Sequence, residues 1–225
     1  MLDNFRKLLF RRLALNYMTA GDDRKAEKWY KKLQVMEPES LEVLHNLAAI
    51  SISLKKFDSA EMYIKREIEI YGESGLRLRI LGDLYYFGGS MDKAGRAYGK
   101  ALTLLQQIGN EKTTENFLKK RIRICKDKKL YAMAMESGFF LEKGPGLLKK
   151  KKFRDALDLY LKAAEYDKTS YMALNSAGTV LLNNIKDYAG ARDCFRKALE
   201  LADIFAIKNN LALAEYKIRE AGENQ

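Results

Sequence analysis

The sequence has one histidine, two cysteines, two prolines and one tryptophan among 225 residues. The sole histidine, His45, excludes a multi-histidine metal site, and no histidine-based triad is expected around it. Cys125 and Cys194 lie far apart and form no Cys-x-x-Cys pair. Neither a disulfide framework nor a zinc site is indicated, and both thiols are expected to be reduced and packed. So few prolines in a chain that is 47% hydrophobic and 32% charged argue against a disordered or collagen-like polymer. No uninterrupted apolar run approaches the roughly 18 residues of a membrane span. The opening MLDNFRKLLFRRLALNYM carries charges where a secretory signal needs an apolar stretch, so a cytoplasmic protein is expected.

Positive charge, by contrast, is abundant. The formal net charge is +11 and is unevenly spread: between Lys112 and Lys152 stand 13 basic and four acidic residues, a net +9. Such a stretch is either a solvated face or a meeting place for a polyanion.

A fixed period organises the rest. Leu13-Ala14, Leu47-Ala48 and Leu81-Gly82 recur 34 residues apart, as do Ala26, Ala60 and Ala94. Phe10, Leu44 and Leu78, then Tyr17, Ser51 and Tyr85, then Tyr30, Ile64 and Tyr98 keep the same step. Within a period, Leu78, Leu81, Gly82 and Tyr85 share one helical face, and Ala94, Tyr98 and Ala101 share another. Small residues let two antiparallel helices approach while the large ones fill the space beside them. Gly21-Asp22 and Gly88-Gly89 supply the reversal between helices, and Pro38 stops the second helix. Period and pattern resemble the tetratricopeptide repeat, a helix-turn-helix unit.

The resemblance continues in the carboxy-terminal part, through Ala156, Tyr160 and Ala163, then Ala177-Gly178 with Ala191, Phe195 and Ala198. This last unit carries one extra residue, expected in its turn near Asn183-Asn184. A helix over about 204–221 is expected to cap the stack. The step from Ala94 to Ala156 is 62 residues rather than 68. Residues 108–146 look helical but lose the columns, and Gly144-Pro145-Gly146 is expected to break the helix. They form either a degenerate unit or longer connecting helices. The organisation expected is therefore three regular units over 1–107, an irregular basic segment over 108–146, and one to two further units with a capping helix over 147–225. The fold class is all-α.

The resemblance implies a right-handed α-solenoid whose first helices line a groove for a peptide or helix of another protein. By phase, that groove takes Arg11, Arg12, Leu15, His45, Asn46, Arg79, Asp83 and Tyr86, together with Leu8, Glu42, Ala49, Leu76 and Ile80. Arginines with apolar neighbours suit an acidic peptide, which Glu42 and Asp83 oppose. The alternative is a polyanion binder, for nucleic acid or an anionic membrane, using Lys119, Lys120, Arg121, Arg123, Lys149, Lys150, Lys151 and Lys152. The tract GPGLLKKKK lacks the spacing and the Lys-Ser/Thr end of a phosphate loop, and is read as a helix start with a solvated lysine run. Trp29 is expected to pack between repeats. No carboxylate pair stands out, so no catalytic, metal or cofactor residue is expected. The function expected is that of a non-catalytic adaptor, with self-association through an open end of the stack as a further property.

Overall fold

The computed structural model describes residues 2–109 and 111–223; Met1, Asn110, Asn224 and Gln225, which the expected ranges include, lie outside it. It is all-α. The helices are α1 (Leu2–Thr19), α2 (Asp23–Met36), α3 (Leu41–Ser53), α4 (Phe57–Tyr71), α5 (Gly75–Phe87), α6 (Met91–Ile108), α7 (Lys112–Cys125), α8 (Lys128–Lys149), α9 (Phe153–Tyr166), α10 (Tyr171–Val180), α11 (Tyr188–Leu199) and α12 (Phe205–Glu223). Two compact units divide the chain, Met1–Leu104 and Leu105–Gln225, so the basic segment belongs with the hairpins that follow it. No helix among the described residues is long and apolar enough to cross a membrane.

Five helix pairs share one construction: α1–α2, α3–α4, α5–α6, α8–α9 and α10–α11. A small residue on the first helix faces a large one on the second. A Cβ added at Gly82 would come within 2.5 Å of the Tyr98 ring, at Gly144 within 2.3 Å of Tyr160, and at Gly178 within 2.6 Å of Phe195. In the first two pairs the corresponding positions are the buried Ala14 and Ala48. Ala26, Ala60, Ala94, Ala156 and Ala191 are all fully buried, because a larger side chain there would hold the paired helices apart.

The turns repeat too. One residue in each adopts the left-handed conformation: Gly21, Lys55, Gly89, Lys151 and Lys186, with φ between 57° and 81°. The following amide reaches back into the first helix, Asp22 to Tyr17, Lys56 to Ser51, Ser90 to Tyr85, Lys152 to Leu147 and Asp187 to Leu181. These bonds satisfy carbonyls that the helix end would leave orphaned. Three lysines hold a conformation that costs an L-residue roughly 1–2 kcal/mol relative to glycine. Several second helices and their successors start from side-chain caps, with Asp22, Ser74, Asp127, Ser170 and Asp187 each accepting from a first-turn amide.

Gly144-Pro145-Gly146 does not break a helix. Helix α8 runs through it to Lys149, and its reversal comes at Lys151. Pro145 forfeits one backbone hydrogen bond. Close packing of the buried Gly144 against Tyr160 holds the chain helical in spite of that loss. GPGLLKKKK is thus a helix end rather than a helix start. The α8–α9 pair is a regular hairpin with Lys143-Gly144 in place of Leu-Gly, and α7 is the additional helix. The extra residue of the last pair sits in a π-helical turn, Leu181–Ile185, where the returning bond spans one residue more. Helix α12 packs on α11 through Ile207 and Ala214, as expected of a capping helix. Trp29 lies against Phe10 within the first hairpin, at 5.3 Å between ring centroids.

Candidate functional site

In the first unit, α3, α4 and α5 enclose a concavity of about 440 Å³ lined by Leu41, Glu42, His45 and Asn46 from α3, Glu67 from α4, and Leu76, Arg77 and Ile80 from α5. Its floor carries charge. Glu67 is 2% exposed and lies between His45 Nδ1 at 3.6 Å and Arg77 Nε at 3.6 Å. Burying a carboxylate is tolerable only with such partners. Leu41 and Leu76 remain exposed at the rim.

The Glu67 carboxylate beside His45 lifts the imidazole above its ordinary value; partial burial and the Arg77 charge pull the other way and are outweighed. A raised histidine value means that the His45–Glu67 interaction is fully present below the ordinary histidine range. It is lost as pH rises through the raised value. The His45 NMR titration midpoint is therefore expected above about 6.5, moving down in Glu67→Gln. A midpoint at or below the ordinary value in the unmodified protein would contradict the pairing.

The structure brings only part of the expected groove into this concavity. His45 and Asn46 line it, as do Glu42, Leu76 and Ile80. Asn46 Nδ2 donates to the Tyr30 hydroxyl at 2.9 Å, which ties α3 to α2. Arg11 is held by two acids, Glu37 at 2.6 Å and Glu42 at 2.8 Å, and so is largely neutralised as a partner donor. Arg12 and Leu15 are exposed, and Arg79 is half-buried. Asp83 accepts from the Tyr98 hydroxyl at 2.6 Å, which locks α5 to α6. Tyr86 is a correction: it is fully buried, against Phe87 and Tyr98 at centroid distances of 5.5 and 6.3 Å, and lines no open groove.

Sequence reasoning missed Glu67 and Arg77, although a signal was present. Glu67 occupies the column otherwise held by the buried Leu33 and Ala101, whereas the column of Arg77 holds the exposed Leu9 and the buried Val43 and gives a weaker signal. A charge at a position whose counterparts are core residues demands a buried partner.

The expected basic patch is not one surface. Lys119, Lys120 and Arg123 are exposed on α7, with Lys119 paired to Glu115 at 3.3 Å. Lys149 closes the far end of α8 and Lys150, Lys151 and Lys152 follow it, the helix's 22 residues spanning about 33 Å at 1.5 Å each. Arg121 is a second correction. It is 4% exposed, beneath the α7 surface, and its guanidinium meets the buried Asp167 at 3.4 Å and the Phe117 ring at 5.3 Å. Asp167 also accepts from the Thr169 amide and hydroxyl. Cys125 and Cys194 are not joined in a disulfide; burial pushes the Cys194 thiol up, away from the reactive thiolate.

Repeated hairpins of this construction define an all-α helix-hairpin repeat protein, and its units resemble tetratricopeptide repeats. No protein-family model matches the sequence, and no curated protein sequence does. Solved structures similar to the chain include the TPR2AB domain of yeast Sti1 in complex with pHSP90, at 15% identity and TM-score 0.45, covering 96% of this chain and 86% of that one. YrrB, described as a TPR protein with an unusual peptide-binding site, matches at 13% identity and TM-score 0.42, covering 93% and 90%. PilF of Pseudomonas aeruginosa matches at 13% identity and TM-score 0.44, covering 100% and 96%. A likeness at such identities is one of fold, and what those proteins bind is theirs.

Proposed function

We propose that the chain is a non-catalytic protein-interaction module that takes a peptide or helix of a partner on the α3–α5 face of its first unit. The observation that carries this reading is the concavity itself. Exposed Leu41 and Leu76 flank a His45–Glu67–Arg77 cluster, built on the buried Glu67, that fixes the floor before any partner arrives. Preformed surfaces of this kind lower the ordering cost of binding. Arg12, Arg79 and a protonated His45 favour carboxylates on the partner, while Glu42 and Asp83 limit that preference. Two cysteines that form no disulfide suit a reducing compartment such as the cytoplasm. The polyanion alternative is not favoured, because its cations fall at opposite ends of α8 and Arg121 is buried.

Peptides selected against the whole protein from a displayed random library test the reading. NMR shifts are expected at Leu41, His45, Leu76 and Ile80, and Leu76→Glu is expected to weaken binding about tenfold or more by placing a charge at an apolar contact. Selected peptides that bind Leu76→Glu as well as the unmodified chain would remove the proposal.

A further inference from the structure

A second concavity lies in the second unit. It measures about 830 Å³ and opens where α7, α9 and α11 end and α8 and α10 begin. Its floor is apolar, with Ile124, Met133 and Leu201. Its rim carries four cations, Lys120, Arg123, Lys168 and Lys197, against two acids, Glu165 and Glu200. Among the described residues, none of the four cations is held in an ion pair, whereas Lys119 one residue away is.

We propose that this pocket is a second binding site, for an acidic segment of a partner protein that inserts an apolar side chain between carboxylates. Size, floor and rim each limit the occupant. The volume lies within the range of ligand sites, roughly 300–1,000 Å³, and exceeds the needs of a single small anion. A bare phosphate would also want backbone amides. Those at the starts of α8 and α10 are already engaged by the side chains of Asp127 and Ser170. Single-stranded nucleic acid would want an open aromatic face, but the lining Tyr166 is committed edge-on to Phe140 at 5.2 Å. A flat lipid surface does not reach the floor of a recess. Carboxylates at the rim with a leucine or phenylalanine below satisfy both features together. The site is held in shape from beneath: the buried Arg121–Asp167 pair ties α7 to the connection between α9 and α10.

A short fluorescein-labelled peptide alternating Glu with Leu and Phe provides the probe, read by anisotropy on the whole protein. Arg123→Glu with Lys197→Glu is expected to raise its Kd about tenfold or more, with steep salt dependence in the unmodified chain. Met133→Glu, in the floor, is expected to weaken it as well, while Leu76→Glu in the first unit leaves it unchanged. Lys120→Glu with Lys168→Glu serves as the independent pair, and all four variants are followed by melting curves. Equal affinity in both charge-reversal pairs would overturn the proposal. So would equal binding of a peptide with Ser replacing Leu and Phe, or tighter, equally variant-sensitive binding of phosphatidylserine vesicles or single-stranded RNA. Loss of the peptide in Leu76→Glu alone would place it on the first unit, overturning this site and leaving the α3–α5 reading intact.

Discussion

Replacing Arg121 with alanine is expected to destabilise the second unit by about 3–5 kcal/mol. Both members of the Arg121–Asp167 pair are nearly inaccessible, with side chains 5% and 6% exposed, so removing the cation leaves a carboxylate buried without its charge partner. The bonds from the Thr169 amide and hydroxyl to Asp167 remain and moderate the loss. Removing both charges is a different matter, since a buried ion pair stabilises little relative to well-packed neutral groups. Arg121→Met combined with Asp167→Asn is accordingly expected to recover most of the deficit, Asn retaining an oxygen for Thr169. Urea unfolding monitored by circular dichroism measures both variants. An Arg121→Ala protein with an unshifted midpoint would contradict the burial of this pair.

Gly144→Leu is expected to cost about 1–3 kcal/mol through overpacking. Even a Cβ at this position would lie 2.3 Å from the Tyr160 ring, and Tyr160 is 4% exposed, with little room to retreat. The same helix supplies a control. An added Cβ at Gly138 meets nothing within 4 Å, so Gly138→Ala is expected to stabilise α8 by about 1 kcal/mol, the ordinary helix-propensity difference. Opposite signs at two glycines of one helix, read from thermal or urea melts, separate packing from propensity.

Much of this architecture was legible because packing writes itself into the sequence at a fixed step. The buried Ala26, Ala60 and Ala94, the Gly21 and Gly89 turns and the final helix all lie where the 34-residue period puts them. What escaped did so for identifiable reasons. At Gly144 the preceding Leu is replaced by Lys143 and a proline follows, so local chemistry signals a break. The contact with Tyr160, which decides otherwise, is distant in sequence. Tyr86 fell on the outward phase of an ideal helix, but aromatic neighbours on α5 and α6 enclose it. Arg121 was counted among neighbouring cations because charge runs reveal composition and not depth. The His45–Glu67–Arg77 cluster joins three helices, and only its charged intruders into apolar columns betray it.

The claim on which the account rests is that one small-against-large pairing recurs in every hairpin, including α8–α9 where the signature is altered. A double-mutant cycle on Gly144→Leu and Tyr160→Ala tests it most directly. The two substitutions together are expected to destabilise the protein by about 0.5–3 kcal/mol less than the sum of their separate effects, since removing the ring makes room for the leucine. Strict additivity would contradict the contact and, with it, the assignment of α8–α9 as a regular repeat.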